Sequence, residues 1–220
     1  MPIFFQQDID GDTKLAVWKI EEEESFFNVP LHRDITHPHK RLQHLAGRYL
    51  LRHLFPFFPL DLIRIADTRK PYLDDEAFHF SISHCSDYAA AIVSRSKRVG
   101  VDIELLSPKV ERIKEKFLHP EELAEVNRQL AMPNGQMEST VGNPSDLQLA
   151  QLTLLWSAKE AVYKWWSYGR VDFSEMIRLQ PSVLQPSGSY PGRFLAREEE
   201  HPLTIHYRLF ASLSLAWVVK

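Results

Sequence analysis

From Lys40 to Phe55 the apolar residues Leu42, Leu45, Ala46, Tyr49, Leu50 and Leu54 recur at intervals of three and four. That is the period of a helix with one buried face. Pro56 and Pro59 end it, because proline supplies no backbone N–H to continue the ladder. Lys40, Arg41, Arg48 and Arg52 stud the same stretch with positive charge. Elsewhere the period falls to two. Phe78, Phe80 and Ile82 alternate with polar residues and predict a strand, followed by a second over Tyr88–Ser94 and a third over Val99–Leu105. The charged link Arg95-Ser96-Lys97-Arg98 predicts a hairpin between the last two. Leu15, Val17 and Trp18 mark an earlier strand between Thr13 and Ile20, and Val29 to His39, with Pro and His, leads into the helix.

The second half repeats these periods. A helical stretch is predicted around Val110 to Leu130, and the Pro-, Gly- and Asn-containing run from Ala131 to Pro144 reads as a loop. Ser145 with Gln148 resembles a capping box, opening a helix whose apolar face uses Leu149, Leu152, Leu155, Trp156, Val162 and Trp166. Leu203 to Val219 reads as two strands joined near Ala211. Each half thus offers strands plus a long helix, an α+β fold compatible with a duplicated unit.

Composition narrows the classes. The 220 residues are 44% hydrophobic and 25% charged, enough for a sizeable core. A net charge of -3 gives no global basic field for nucleic acid, so an anion site must be local. A single cysteine, Cys85, permits no intramolecular disulfide. The first residues lack a basic segment before an apolar one, and no apolar run approaches the ~20 residues of a membrane span. A cytoplasmic protein without membrane or nucleic-acid partners is expected.

Three short segments carry candidate chemistry. In Gly100-Val101-Asp102-Ile103-Glu104, strand alternation puts both carboxylates on one face beside Gly100. In Trp156 to Lys164, Glu160 and Lys164 share one face of a helix. In Phe80-Ser81-Ile82-Ser83-His84-Cys85, a strand ends in a hydroxyl and an imidazole, both able to donate to a phosphate. Each alone has a plainer reading: a solvated strand face, a surface ion pair worth roughly 0.3–0.5 kcal/mol, and a loop histidine. No G-x-S-x-G elbow marks a serine hydrolase.

Together, and in this order, they resemble the phosphopantetheinyl transferase superfamily, in its longer single-chain branch typified by the surfactin-synthetase activator. The motifs that carry the resemblance are Arg69-Lys70-Pro71, Phe80 to His84, Gly100 to Glu104, Phe117-Leu118-His119-Pro120-Glu121-Glu122, and Trp156 to Lys164. Two departures stand out. Arg69 takes the place of a usual glycine, and the early-helix position of an arginine for the 3'-phosphate falls on Gln43.

The resemblance implies a pseudo-twofold pair of similar α+β subdomains, 1–98 and 99–220, each a small antiparallel sheet packed with a long helix, with a metal site at their interface. It implies Mg²⁺ held by Asp102, Glu104 and Glu160, an oxygen set that suits this ion. Coenzyme A would be bound by Lys70, Ser83 and His84, with Lys40, Arg41 or Arg48 for the 3'-phosphate. Lys159 and Lys164 would face the diphosphate, and Glu122 would act as base toward the serine of an apo acyl or peptidyl carrier protein. The plainer alternative for Glu122 is a helix cap. A monomer is implied. The rivals are a binding paralogue without turnover and a metal-dependent phosphohydrolase.

Overall fold

Helix α1, Pro38–Leu54, starts where His37 turns its ring back to accept the Lys40 N–H at 3.4 Å, with Pro38 in the first turn where no N–H is missed. It ends at Phe55, which is extended, one residue before Pro56. Its buried face, Leu45, Ala46, Leu50, Leu51 and Leu54, packs on a sheet built from β1 (Ile3–Asp8), β2 (Thr13–Lys19), β5 (His79–Cys85) and β6 (Tyr88–Ser94). The strand order is β1-β2-β6-β5, all antiparallel. Ala16, Ala89, Ala91 and Val93 floor the helix, and Trp18, Phe55, Phe58 and Phe80 close the core around it. A two-stranded ribbon, β3 (Arg64–Ile65) and β4 (Pro71–Tyr72), precedes β5.

In this computed structural model residues 3–31, 34–131, 144–196 and 199–220 are described. Residues 132–143 of the expected loop, and the Ser145 side chain of the expected capping box, lie outside them. The chain divides into two compact units. One comprises Met1–Ile103 with Lys164–Gly169 and Val219–Lys220, the other Glu104–Tyr163 with Arg170–Val218.

In the second unit the predicted helix of 110–130 is two. Helix α2, Lys109–Phe117, stops at extended Leu118, and α3, Pro120–Leu130, begins after His119. Pro120 is the reason, since it cannot donate to the preceding turn and biases His119 out of helical geometry. Helix α4 runs Pro144–Trp166 and a single turn, α5, covers Phe173–Met176. Trp156 sits edge-on to Phe117 at 5.2 Å and tilted against Phe173 at 5.7 Å. Strands β8 (Ile177–Leu179), β9 (Ser187–Ala196), β10 (Glu199–Leu209) and β11 (Leu213–Val219) form an antiparallel meander around Tyr190, Phe194, Ile205 and Tyr207.

Strand β7, Val99–Leu105, corrects the predicted hairpin. It leaves β6, whose neighbours are β2 and β5, and joins the second sheet in the order β7-β11-β10-β9-β8. The charged link behaves as a crossover. Both sheets are antiparallel and the fold is α+β, as expected.

Gly47 sits where α1 packs tightly against β5. A Cβ there would lie 2.6 Å from Ile82 Cγ2. Gly47→Ala is expected to destabilise by about 1–3 kcal/mol through overpacking. Gly11→Ala, with nothing within 4 Å, should change stability by less than about 1 kcal/mol. Urea unfolding of both variants measures the contrast, and equal effects would mean that the helix can shift freely.

Candidate active site

The serines of β5 face β7. Ser81 Oγ accepts the Val101 N–H at 3.2 Å, and Ser83 Oγ donates to Asp102 Oδ1 at 2.8 Å. Lys164, on the last turn of α4, donates to the same Oδ1 at 2.6 Å and to Ser83 Oγ at 2.8 Å. Asp102 is 3% exposed, so the solvated-face reading fails at this residue. Glu104, at the strand's end, is partly exposed. A carboxylate so buried needs a charged partner. Lys164 supplies one on Oδ1, whereas the buried Oδ2 meets no hydrogen-bond partner. Lys164 thus reaches across to Asp102, a partner that helical spacing does not reveal.

His84 follows on the other face of β5, its ring 5.2 Å from that of His44. Burial, and next the Lys164 ammonium, push its pKa below the ordinary value, so the imidazole is neutral at pH 7. In that state the ring carries one N–H and no charge.

Lys70 turns onto the end of α4. Its ammonium donates to the Lys164 carbonyl at 2.5 Å and also to Ser167 Oγ. Burial, reinforced by the nearby Arg98 charge, lowers its pKa to about 8. Arg69, in the glycine position of the resembling motif, sits at φ 65, in the left-handed region that glycine enters without strain. The helical cations are spread out. Lys40 is exposed, Arg41 pairs with Glu24 at 2.6 Å, and buried Arg48 directs Nη1 toward the His44 carbonyl at 3.5 Å. Gln43 donates to the Ser86 carbonyl at 2.7 Å.

Glu122 and Lys159 form a separate pair. Glu122 Oε2 accepts from Lys159 Nζ at 2.5 Å and from the His119 N–H at 2.7 Å; Oε1 accepts from the Leu179 N–H at 2.7 Å. Lys159 also donates to the carbonyls of Phe173 and Ile177, at 3.0 and 2.8 Å. The two residues are 4% and 0% exposed. His119 and Glu122 complete a capping box on α3, so the cap that was the plainer alternative is present. Burial is the main influence on Lys159 and lowers its pKa to about 8, against the pull of Glu122.

Glu160 is partly exposed on α4. Among the described residues no group of three or more His, Cys, Asp or Glu side chains is gathered to hold a metal ion. What the residues offer toward a cation is the unpartnered Oδ2 of Asp102. Two residues of this region had no sequence signal, Ser167 and Arg98. Neither belongs to a motif, and Arg98 stood in what reads as a solvated turn.

Residues 98–217 match the family model described as the 4'-phosphopantetheinyl transferase superfamily. The chain belongs to this superfamily. The matched range holds Asp102, Glu104, Glu122, Lys159, Glu160 and Lys164 and leaves out Lys70, Ser83 and His84. Enterobactin synthase component D of Salmonella austin is 34% identical over 125 residues, 57% of this chain and 47% of that protein. Proteins of the same name in Salmonella typhi and Salmonella typhimurium are 35% and 33% identical over 126 residues, with the same coverage. The chain spans about half the length of the curated relatives it matches.

The superfamily member's buried Glu122–Lys159 pair yields a stability prediction. Lys159→Met leaves an uncompensated carboxylate and should cost about 3–5 kcal/mol. Adding Glu122→Gln should return part of that loss, because the amide needs no countercharge. Urea unfolding of the singles and the double measures the coupling, and additive losses would show that the two groups do not act as a pair.

Proposed function

We propose that the chain transfers the 4'-phosphopantetheine group of coenzyme A to a serine of an apo acyl or peptidyl carrier protein, releasing 3',5'-ADP. Membership of the superfamily supports the reaction class. The observation that carries the reading is the Asp102 carboxylate, buried, held on one oxygen by Ser83 and Lys164 and unpartnered on the other. Asp102, Glu104 and Glu160 are the residues that would hold Mg²⁺. Bound there, the ion would neutralise the diphosphate and the developing charge on the departing 3',5'-ADP.

The carrier serine Oγ bonds to the β-phosphorus, the bond from that phosphorus to the bridging oxygen breaks, and 3',5'-ADP leaves with the electron pair. The chain's own residues position and neutralise. Lys164, already beside Asp102, presents its ammonium to the diphosphate, His84 donates to a phosphate oxygen, and Ser83 does so by turning its one hydroxyl proton away from Asp102 Oδ1. Lys40, Arg41 and Arg48 line α1 as candidates for the 3'-phosphate. Lys159 acts through Glu122, which would receive the serine proton by exchanging one of its three donors for it.

The test is conversion of apo- to holo-carrier by purified protein, using a panel of acyl and peptidyl carriers with labelled coenzyme A. EDTA should stop transfer and excess Mg²⁺ restore it, and Asp102→Asn should abolish it in a folded protein. Glu122→Gln should cut the single-turnover rate by about 10²–10⁴ if the carboxylate is the base. A loss of rate only in step with stability would confine Glu122 to its cap and ion pair. Release of 3',5'-ADP without any carrier would favour a phosphohydrolase, and tight binding of carrier without turnover would favour an inactive paralogue.

A further inference from the structure

Helix α4 ends in an unusual grip. Past Trp166 the chain leaves the helix through Ser167 at φ 74 and Gly169 at φ 69, both left-handed. A helix end of this kind leaves carbonyls without intrahelical partners. Here they are met from the 68–70 loop: Lys70 donates to the Lys164 carbonyl and to Ser167 Oγ, and Thr68 Oγ1 donates to the Ser167 carbonyl at 3.2 Å. Ser167 Oγ itself lies 3.0 Å from the carbonyls of Lys164 and Trp165. A cation at a helix C-terminus is also favoured by the helix dipole. Next along the chain, the Tyr168 hydroxyl is met by Arg98 Nη2 at 2.6 Å, with the guanidinium 5.0 Å from the ring centre.

The residue whose backbone carbonyl takes the Lys70 ammonium is Lys164, whose own ammonium holds Asp102 and Ser83. A lysine side chain has four rotatable carbons, so its tip is placed only as well as its backbone is fixed. Two of the three Lys70 protons are spent on the last turn of α4 and on Ser167 just past it, which leaves the group turned toward the helix end rather than toward a ligand.

We propose that Lys70 is a positioning residue: it clamps the C-terminus of α4 so that Lys164 reaches Asp102, and through that the phosphate to be transferred. The catalytic half of this rests on the transferase reading above; the clamp itself does not. The superfamily resemblance alone suggests instead a direct phosphate contact. The two differ in what is lost.

Lys70→Met, Lys70→Arg and Ser167→Ala provide the test. The first readout is the rate at which an amine-acylating reagent labels Lys164, mapped by mass spectrometry in the full chain. Lys70→Met should speed labelling at least tenfold, Ser167→Ala should do so to a lesser degree, and Lys70→Arg, which still donates to the carbonyl, should restore the slow rate. Unchanged labelling in folded Lys70→Met and Ser167→Ala overturns the proposal. The second readout is transfer. Lys70→Met should lower the single-turnover rate at saturating coenzyme A by about tenfold or more while changing its Kd by less, with rescue by Lys70→Arg. A Kd raised about ten- to a hundredfold with a normal rate at saturation overturns the proposal in favour of a phosphate contact. Should the wild type transfer nothing, the transferase reading falls while the labelling result still decides the clamp.

Discussion

An ammonium group drawn out of water has to be met by oxygen atoms, and the end of α4 is organised around one fully buried ammonium, Lys159, and two partly buried ones, Lys164 and Lys70. Lys159 spends its protons on the Glu122 carboxylate and the carbonyls of Phe173 and Ile177. Lys164 uses Asp102 and Ser83, and Lys70 uses the Lys164 carbonyl and Ser167. Desolvating an ion costs several kcal/mol even after relaxation, so none of these oxygens can be displaced without penalty. In the second unit the Lys159 set joins α3, the start of α5 and the start of β8 at one point. In the first the Lys164 and Lys70 sets hold β5, β7 and the loop before β4 to the last turn of the helix.

The two buried carboxylates in this arrangement are used differently. Glu122 accepts from two backbone amides and an ammonium, which fills both oxygens. Asp102 is filled on one oxygen and bare on the other. A saturated carboxylate in a protein interior is what stability asks for; a half-saturated one is costly unless something else binds it. Glu122 would have to release a partner before taking part in any chemistry, whereas Asp102 already has an oxygen to offer, and that supports Asp102 as the first residue of a cation site. The lowered pKa of His84 fits the same logic, since burial, and next the Lys164 ammonium, disfavour its charged form.

Arg69 shows how a departure from a motif is absorbed. Its φ of 65 is the conformation for which glycine is the usual choice, and the chain adopts it anyway because Thr68 and Lys70 on either side are tied to the end of α4. Two anchored neighbours can hold a residue in a region that costs on the order of 1–2 kcal/mol. The superfamily match begins at Arg98, so this loop, Ser83 and His84 all stand before it, and their place in the site rests on geometry.

Where the hydrophobic period is strong, the elements can be read from the residues alone. Strands over Tyr88–Ser94 and Val99–Leu105 and the helix ending before Pro56 follow from local patterning, and the ordered motifs pointed to the superfamily. Strands β1, β8 and β9 were not legible: β1 is largely exposed, β8 is three residues long, and β9 carries Gly188, Pro191 and Gly192 in place of alternation. Lys159 did carry a signal, lying between Leu155 and Val162 at the spacing of the buried face, which a charged residue occupies only when paired. Which strand β7 would join, and that Lys164 would reach Asp102 and Lys70 the end of α4, depended on the folded chain. Those contacts link residues 62 and 94 positions apart. Periodicity records which face of an element is buried, and it holds nothing about which distant oxygen a buried ammonium will find.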